Sequence, residues 1–337
     1  MPDSLPDCTR GTLEVLNIHN MERTAPLPAE LIHLRPSNGT GVVVATQSIL
    51  LTAAALWLSS RPATLLWLAG QLLLALVLVQ WFSILHECGH ETLFRTRSLH
   101  LPLGHLAAFF SLIPFYNWKR VHGRHHKWTG WQDVDPTTAA LVPRALGPVE
   151  RTLVNVCWKY WIPLFSVLYR LNNFWNWPRL RLLFAKARER RLLALNLLAM
   201  LGVYAAIAVL AGPALLLRMS ALAVFLSLVA EDLLLLSQHT HVPQLVSHGE
   251  QVVPFPTVEQ EVFTRSLVFP HWLSSLLLQI DAHELHHMYP FVPGYRLSGI
   301  SYETKNGIRW WTWVRRARAM RGELFLFHNR LETGADL

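Results

Sequence analysis

The sequence predicts an all-α membrane protein, with four transmembrane helices in two hairpins beneath a cytosolic helical cap. Three observations predict it. The 337 residues are 52% hydrophobic and only 15% charged, with a mean hydropathy of +0.26, which is too apolar for a soluble chain of this size. Four apolar runs approach the roughly 20 residues that a helix needs to cross a bilayer core. The 17 histidines gather in clusters beside those runs.

The first run, about 41–59 (GVVVATQSILLTAAALWLS), and the second, about 63–85 (ATLLWLAGQLLLALVLVQWFSIL), are joined by the short SSRP and form a tight hairpin. Residues 101–116 (LPLGHLAAFFSLIPFY) are apolar but too short to span, so a re-entrant or interfacial helix is expected there. The third and fourth spans, about 192–211 and 214–237, meet at the Gly212-Pro213 pair. The stretch 242–270 holds four prolines (Pro243, Pro254, Pro256 and Pro270) and reads as an irregular cytosolic loop.

Orientation follows from the loops. Residues 170–191 and 309–321 are rich in Arg and Trp, whereas the connections inside the hairpins carry almost no charge. The positive-inside rule puts both termini and the 87–191 loop in the cytoplasm, with Trp158, Trp161, Trp175 and Trp177 at the interface. The net charge of +8 suits cytoplasmic loops and membrane lipid headgroups, and no nucleic-acid partner is expected. Three cysteines without a C-x-x-C pair give neither a disulfide framework nor an iron–sulfur centre. No apolar core region lies in the first 40 residues, so no cleaved signal peptide is expected. Three segments result: an N-terminal cytosolic segment 1–40, a membrane domain with its cap over 41–300, and a basic cytosolic segment 301–337.

The chemistry lies in four histidine clusters. HECGH at 86–90 places His86 and His90 one helical turn apart, and VHGRHHKW carries His122, His125 and His126. SQHTH carries His239 and His241, and HELHH carries His283, His286 and His287. His86 and His239 fall where the second and fourth spans leave the membrane on the same side, so all four clusters can converge as a cap. Imidazole binds iron, zinc, copper and nickel alike. Eight histidines, or nine to ten with SQHTH, exceed what one metal takes and suit two. HECGH and HELHH each match the H-E-x-x-H zinc-protease motif, with Glu87 as general base in the first. That reading leaves most of the histidines unused. A metal transporter would place ligands near the bilayer midplane instead.

H-x-x-x-H followed by two H-x-x-H-H boxes, separated by a membrane hairpin, resembles the membrane fatty-acid desaturase superfamily, whose members include acyl hydroxylases, carotenoid ketolases and 1-alkene-forming fatty-acid decarboxylases. HECGHETLF at 86–94, HHKWTGWQDVDPT at 125–137 and LLSQHTHVP at 235–243 look most like the delta-12 and omega-3 acyl-lipid desaturases. The resemblance covers about 40–300. It implies two irons and O2 as co-substrate. Their nine ligands would be His86, His90, His122, His125, His126, His239, His283, His286 and His287, with His241 the substitute for His239. No catalytic residue apart from the metal site is implied. Carboxylates and polar groups beside the clusters would orient the rings: Glu87, Asp133, Asp135, Gln238, His241, Asp281 and Glu284, with Glu231 and Asp232 on the fourth span. Arg120, Arg124 and Lys127 are candidates for gripping an acidic head group.

The implied substrate is a long fatty acid or acyl-lipid chain in an apolar tunnel, and the implied reaction is desaturation. Oxidative decarboxylation to a terminal 1-alkene and hydroxylation begin with the same hydrogen abstraction and are the alternatives. With no fused cytochrome b5 signature and no dinucleotide fingerprint, the electrons are expected from a separate ferredoxin or cytochrome b5-type donor with its reductase. The short chain reads as a protein of the bacterial inner membrane.

Overall fold

A computed structural model describes residues 29–335 and 337; residues 1–28, most of the expected N-terminal segment, lie outside the described residues. The chain divides into two units, 1–33 and 34–337. In the first, the described residues begin a short 3-10 helix, Ala29–Leu34. The second carries the clusters and is described below.

The first hairpin pairs α1 (Asn38–Ser59) with α2 (Thr64–His90). The Ser37 hydroxyl accepts from the Thr40 amide at 3.3 Å and starts α1. Pro62 lies in the break before α2. Helix α2 runs five residues past the expected end at 85 and carries His86 and His90 on its last turns. Hydropathy ends with the apolar residues, but the helix ends only where Glu91 turns left-handed at φ 61° and the Thr92 amide closes on the Glu87 carbonyl at 3.0 Å.

The region expected as a re-entrant or interfacial helix over 101–116 falls on two helices, α3 (His100–Ser111) and α4 (Phe115–Trp128), bent by 92° at the break, as a re-entrant segment or a broken span would be. Leu112 is left-handed at φ 58°, and Pro114 precedes α4, so the chain turns where its hydropathy does not change. Helix α4 presents His122, His125 and His126 on its buried face. Short helices follow: α5 (Pro148–Lys159), α6 (Leu164–Arg170) and α7 (Trp177–Leu183), with a π-helical turn at Leu171–Trp175. The second hairpin is α8 (Ala187–Ala211) and α9 (Pro213–His239), hinged at Gly212 with Pro213 opening α9. Among the described residues, α1, α2, α8 and α9 are long and apolar enough to cross a membrane, and the bent α3–α4 pair would make a fifth if it spans.

Polar groups tie the spans together at depth. Gln71 on α2 donates to Ser59 Oγ at 2.9 Å and to the Met219 carbonyl at 2.8 Å, and the Trp81 indole donates to Thr52 Oγ1 at 2.9 Å. Arg170 meets Glu231 in a buried ion pair. The Asp232 carboxylate accepts from the Ser166 amide. These two acidic groups therefore anchor α6 to α9; both are buried, and no hydrogen bond or ion pair joins either to a clustered histidine among the described residues.

The stretch 242–270 is irregular, with a 3-10 turn at Thr257–Phe263, yet it is not a solvent loop. Gln260, Thr264 and Arg265 are buried, and Arg265 donates to the carbonyls of Ser237, Thr240 and His241, closing the end of α9. Strand β1 (Leu267–Val268) pairs in parallel with β2 (Ile308–Arg309). Between them lie α10 (His271–Leu276) and α11 (His283–Met288); α12 (Trp310–Ala319) and α13 (Gly322–Phe327) follow. The basic segment after 300 packs into the same unit: Trp313, Val314 and Ala317 of α12 join Leu236 and Phe325 in a core cluster.

Candidate metal centre

The clusters converge as two adjacent groups. His86, His90, His122, His126 and His286 form one, and His125, His239, His283 and His287 the other, with the nitrogens of each group within 4.8 Å of one another. Each group draws on α2 or α9 for membrane anchorage and on α4 and α11 for the rest. The i, i+3, i+4 spacing on α4 splits its histidines between the groups. His125 enters the second, while His122 and His126, four apart, enter the first. The groups touch where His126 stacks on His287, ring centroids 4.3 Å apart.

The ring nitrogens approach in a way that neutral imidazoles do not favour alone. In the first group His122 Nε2 lies 2.9 Å from His90 Nε2 and 3.1 Å from His126 Nε2, and His286 Nε2 lies 3.0 Å from His126 Nε2. A single ring nitrogen cannot donate to two neighbours. Ligands at right angles around a metal with bonds near 2.1 Å stand about 3 Å apart, so these spacings fit a shared cation. In the second group His283 Nε2 and His239 Nε2 are 2.7 Å apart. His86 Nε2 and His287 Nε2 are buried without a hydrogen-bond partner among the described residues, which leaves a lone pair or proton with no other use. Burial, and then the neighbouring histidines, hold His283, His286 and His287 well below the ordinary imidazole range. They are neutral at physiological pH and able to ligate. The residues present fit a pair of metal ions.

Three side chains fix ring directions. Asp135 accepts from His125 Nδ1 at 2.6 Å and is itself held by the Thr137 amide and hydroxyl, at 2.8 and 2.9 Å. Gln260 Oε1 accepts from His287 Nδ1 at 2.9 Å, while its amide donates to the His126 carbonyl at 2.8 Å. The Trp118 ring stacks on His122 with centroids 4.2 Å apart. Gly89 makes room for that indole: a Cβ there would lie 2.1 Å from Trp118 Cζ3.

The other expected partners make their hydrogen bonds to groups outside the two histidine groups, with Glu87 also in ion-pair range of His86. Glu87 Oε1 stays 3.6 Å from His86 Nδ1, while its Oε2 accepts from Thr92 Oγ1 at 2.8 Å and the Gly294 amide at 3.0 Å. It therefore fastens the end of α2 to the 294 turn. Asp133 accepts from the Ser247 amide and hydroxyl, and these bonds hold its carboxyl below the usual carboxylate range. Asp281 accepts from Ser274 at 2.7 Å, and burial raises its carboxyl. Glu284 Oε1 accepts from the Lys305 and Asn306 amides at 2.9 and 3.0 Å. Gln238 donates to the Ile280 carbonyl at 3.1 Å. His241 turns out of the cluster: its Nδ1 meets the His328 carbonyl at 3.2 Å and its Nε2 accepts from Thr333 at 2.7 Å. The place in the second group belongs to His239.

Two cavities adjoin the groups. A narrow one is bounded by His86, His122, His125, His239 and His283. A larger one extends away past Leu164, Leu168, Trp158 and Phe327. They share Thr137, Leu141, Phe165 and Tyr169, which stand between the larger cavity and the histidines lining the narrow one. Arg120 pairs with Glu189 at 3.3 Å, Arg124 lies over the Phe184 ring and Lys127 over Trp128; none of the three lines either cavity. The cation at the larger cavity is Arg144, which is paired with Glu150. Gln260, Trp118 and Tyr169 gave no signal in the sequence, because polar and aromatic residues outside the histidine boxes carry no spacing that marks them.

A family model described as fatty acid desaturase matches residues 62–313. The chain is 31% identical over 107 residues to the sn-1 oleoyl-lipid 12-desaturase of Picosynechococcus sp., 30% of each chain. It is 25% identical over 236 residues to the probable fatty acid desaturase DES1 of Sorghum bicolor, covering 64% of this chain and 58% of that one. To the chloroplastic sn-2 acyl-lipid omega-3 desaturase (ferredoxin) of Helianthus annuus it is 22% identical over 238 residues, 64% of this chain and 50% of the relative. The chain thus spans between 30% and 58% of the length of these relatives.

Proposed function

The chain belongs to the fatty acid desaturase family, and from that premise we propose that it is an O2-dependent membrane oxidoreductase that desaturates a long fatty acyl chain. The observation that carries the reading is the pair of buried histidine groups, five and four strong, beside a cavity open to an apolar chain. The first group would hold one iron through His86, His90, His122, His126 and His286, and the second another through His125, His239, His283 and His287. Bound there, the pair would supply O2-dependent abstraction of hydrogen from an unactivated C–H bond.

The protein's own part is positional. Neutral imidazoles leave the metal charge uncompensated, and Asp135 and Gln260 fix which ring nitrogen faces inward. The apolar walls around Leu164, Leu168 and Phe327 exclude water and hold the acyl chain, and Tyr169 and Thr137 border its approach to the histidines. The substrate is an acyl lipid, the class that the Picosynechococcus and Helianthus relatives' names carry. Electrons come from a separate donor of the ferredoxin or cytochrome b5 type. The histidine end of the bundle faces the cytoplasm, where the basic stretches lie.

The test is expression in a desaturase-poor host fed defined fatty acids, with lipids and headspace analysed by gas chromatography–mass spectrometry. A new double-bond isomer, formed only with O2 and absent with His90→Ala, is the expected result. A volatile alkene one carbon shorter than the acid, or a hydroxylated chain, overturns desaturation in favour of those reactions.

A further inference from the structure

On the side of α9 away from the histidines lies a third cavity, an apolar groove. Its walls come from two membrane helices and the cap. Ala75 and Val79 of α2 form one side, Ala230 and Leu233 of α9 the other, and Leu273 and Trp310 close the end. Ala230 and His239 are nine residues apart, about two and a half helical turns, which puts them on opposite faces of α9. The groove shares no lining residue with either histidine-side cavity. Small side chains at 75 and 230 make a notch where neighbouring positions carry Leu and Val.

The surroundings identify the occupant. The walls belong to helices long and apolar enough to cross a bilayer, so the groove opens onto hydrocarbon. Next in the chain to the lining residues Leu273 and Trp310, Trp272 and Trp311 stand exposed, the residue type that settles at the membrane–water boundary. Arg309 precedes the lining residue Trp310 and pairs beside the lining residue Leu267, and Arg315 and Arg316 follow along α12; all three are exposed and none is in an ion pair among the described residues. Arg318, by contrast, packs on Trp158 and Trp161, and Arg321 pairs with Glu323. An apolar slot beneath unpaired cations suits an amphiphile with an acyl tail and an anionic head.

We propose that this groove is a binding site for an anionic phospholipid of the surrounding bilayer, with one acyl chain between α2 and α9 and the phosphate beside Arg309. The site is separate from the one that takes the chain to be oxidised, and it stands whether or not the desaturase reading does.

The full chain in nanodiscs of phosphatidylcholine, doped with phosphatidylglycerol bearing a diazirine on one acyl chain, provides the test. After irradiation, peptide mass spectrometry is expected to find adducts concentrated on 226–234 and 310–314, lost in Ala230→Trp, which fills the notch. Unlabelled phosphatidylglycerol should compete for the wild-type site better than phosphatidylcholine. Arg309→Ala should reduce that preference about fivefold, the contribution of one cation near an anionic surface. Retained metal content shows that each variant is folded. Adducts spread evenly over the lipid-facing helices overturn the proposal, as does equal competition by the neutral lipid. Adducts displaced by a fatty acyl substrate, or replaced by chain-to-chain adducts across the groove, also overturn it.

Discussion

His125 Nδ1 donates to Asp135 at 2.6 Å in a site where both side chains are almost fully buried. That bond sets Nε2 toward His239, His283 and His287. Asp135→Ala removes the acceptor while leaving the ligands in place, and loss of such a partner typically costs 10–100-fold in metal affinity. Metal content after graded chelation should fall by about that factor, with activity following it.

Gln260 performs the same service for His287 through a neutral acceptor. Gln260→Ala should weaken metal retention by about tenfold or more, and Gln260→Glu, which keeps the accepting oxygen, should recover most of it. Equal losses in both variants would assign Gln260 to packing through its bond to the His126 carbonyl.

The two histidines at the end of α9 separate sharply. His239→Ala should abolish activity and lower metal content. His241→Ala should keep the metal, because its ring bonds Thr333 and the His328 carbonyl and stands outside both histidine groups. Its cost should be in stability, about 1 kcal/mol for each lost hydrogen bond, read as a lower thermal midpoint.

Acid should unfold the metal-free protein early. His283, His286 and His287 are depressed from 6.5 by burial and by one another. Below about pH 6.5 the unfolded chain therefore binds protons that the folded chain refuses, and stability rises with pH through that window. The thermal midpoint of the metal-free protein should fall between about pH 7.5 and about pH 5.5. Metal should flatten the dependence while it stays bound.

Gly89→Ala tests the support beneath the first group. The added methyl meets Trp118, whose ring backs His122. Overpacking of this kind costs about 1–3 kcal/mol, and the displaced indole should loosen metal binding together with stability.

The spans and the histidine boxes were legible because each rests on local periodicity. An apolar run of span length and a three- or four-residue spacing need no tertiary information. The break at Leu112 was not, since apolar residues run across it from Ala107 to Tyr116 with Pro114 as the one local signal, and the turn itself is made by a leucine in the left-handed region. Nor were the ring-orienting groups. Asp133 and Asp135 lie two residues apart, yet one bonds Ser247 and the other His125; adjacency to a box does not say which way a side chain points. Gln260 is 27 positions from His287, across an irregular stretch that carries no period. The inward face of α12, Trp313, Val314 and Ala317, was present as a helical spacing but hidden among arginines.

The second histidine group takes one member from α4, one from the end of α9 and two from α11. A nascent chain that stops short of residue 287 cannot complete it, however well its hairpins have inserted. On the proposed reading, an ion in that group would wait until α11 has been made, and since His286 of the first group lies on the same helix, a product without α11 would lack one member there and two here. On that reading, the metal complement of the purified protein would measure how much of it had brought α11 into place.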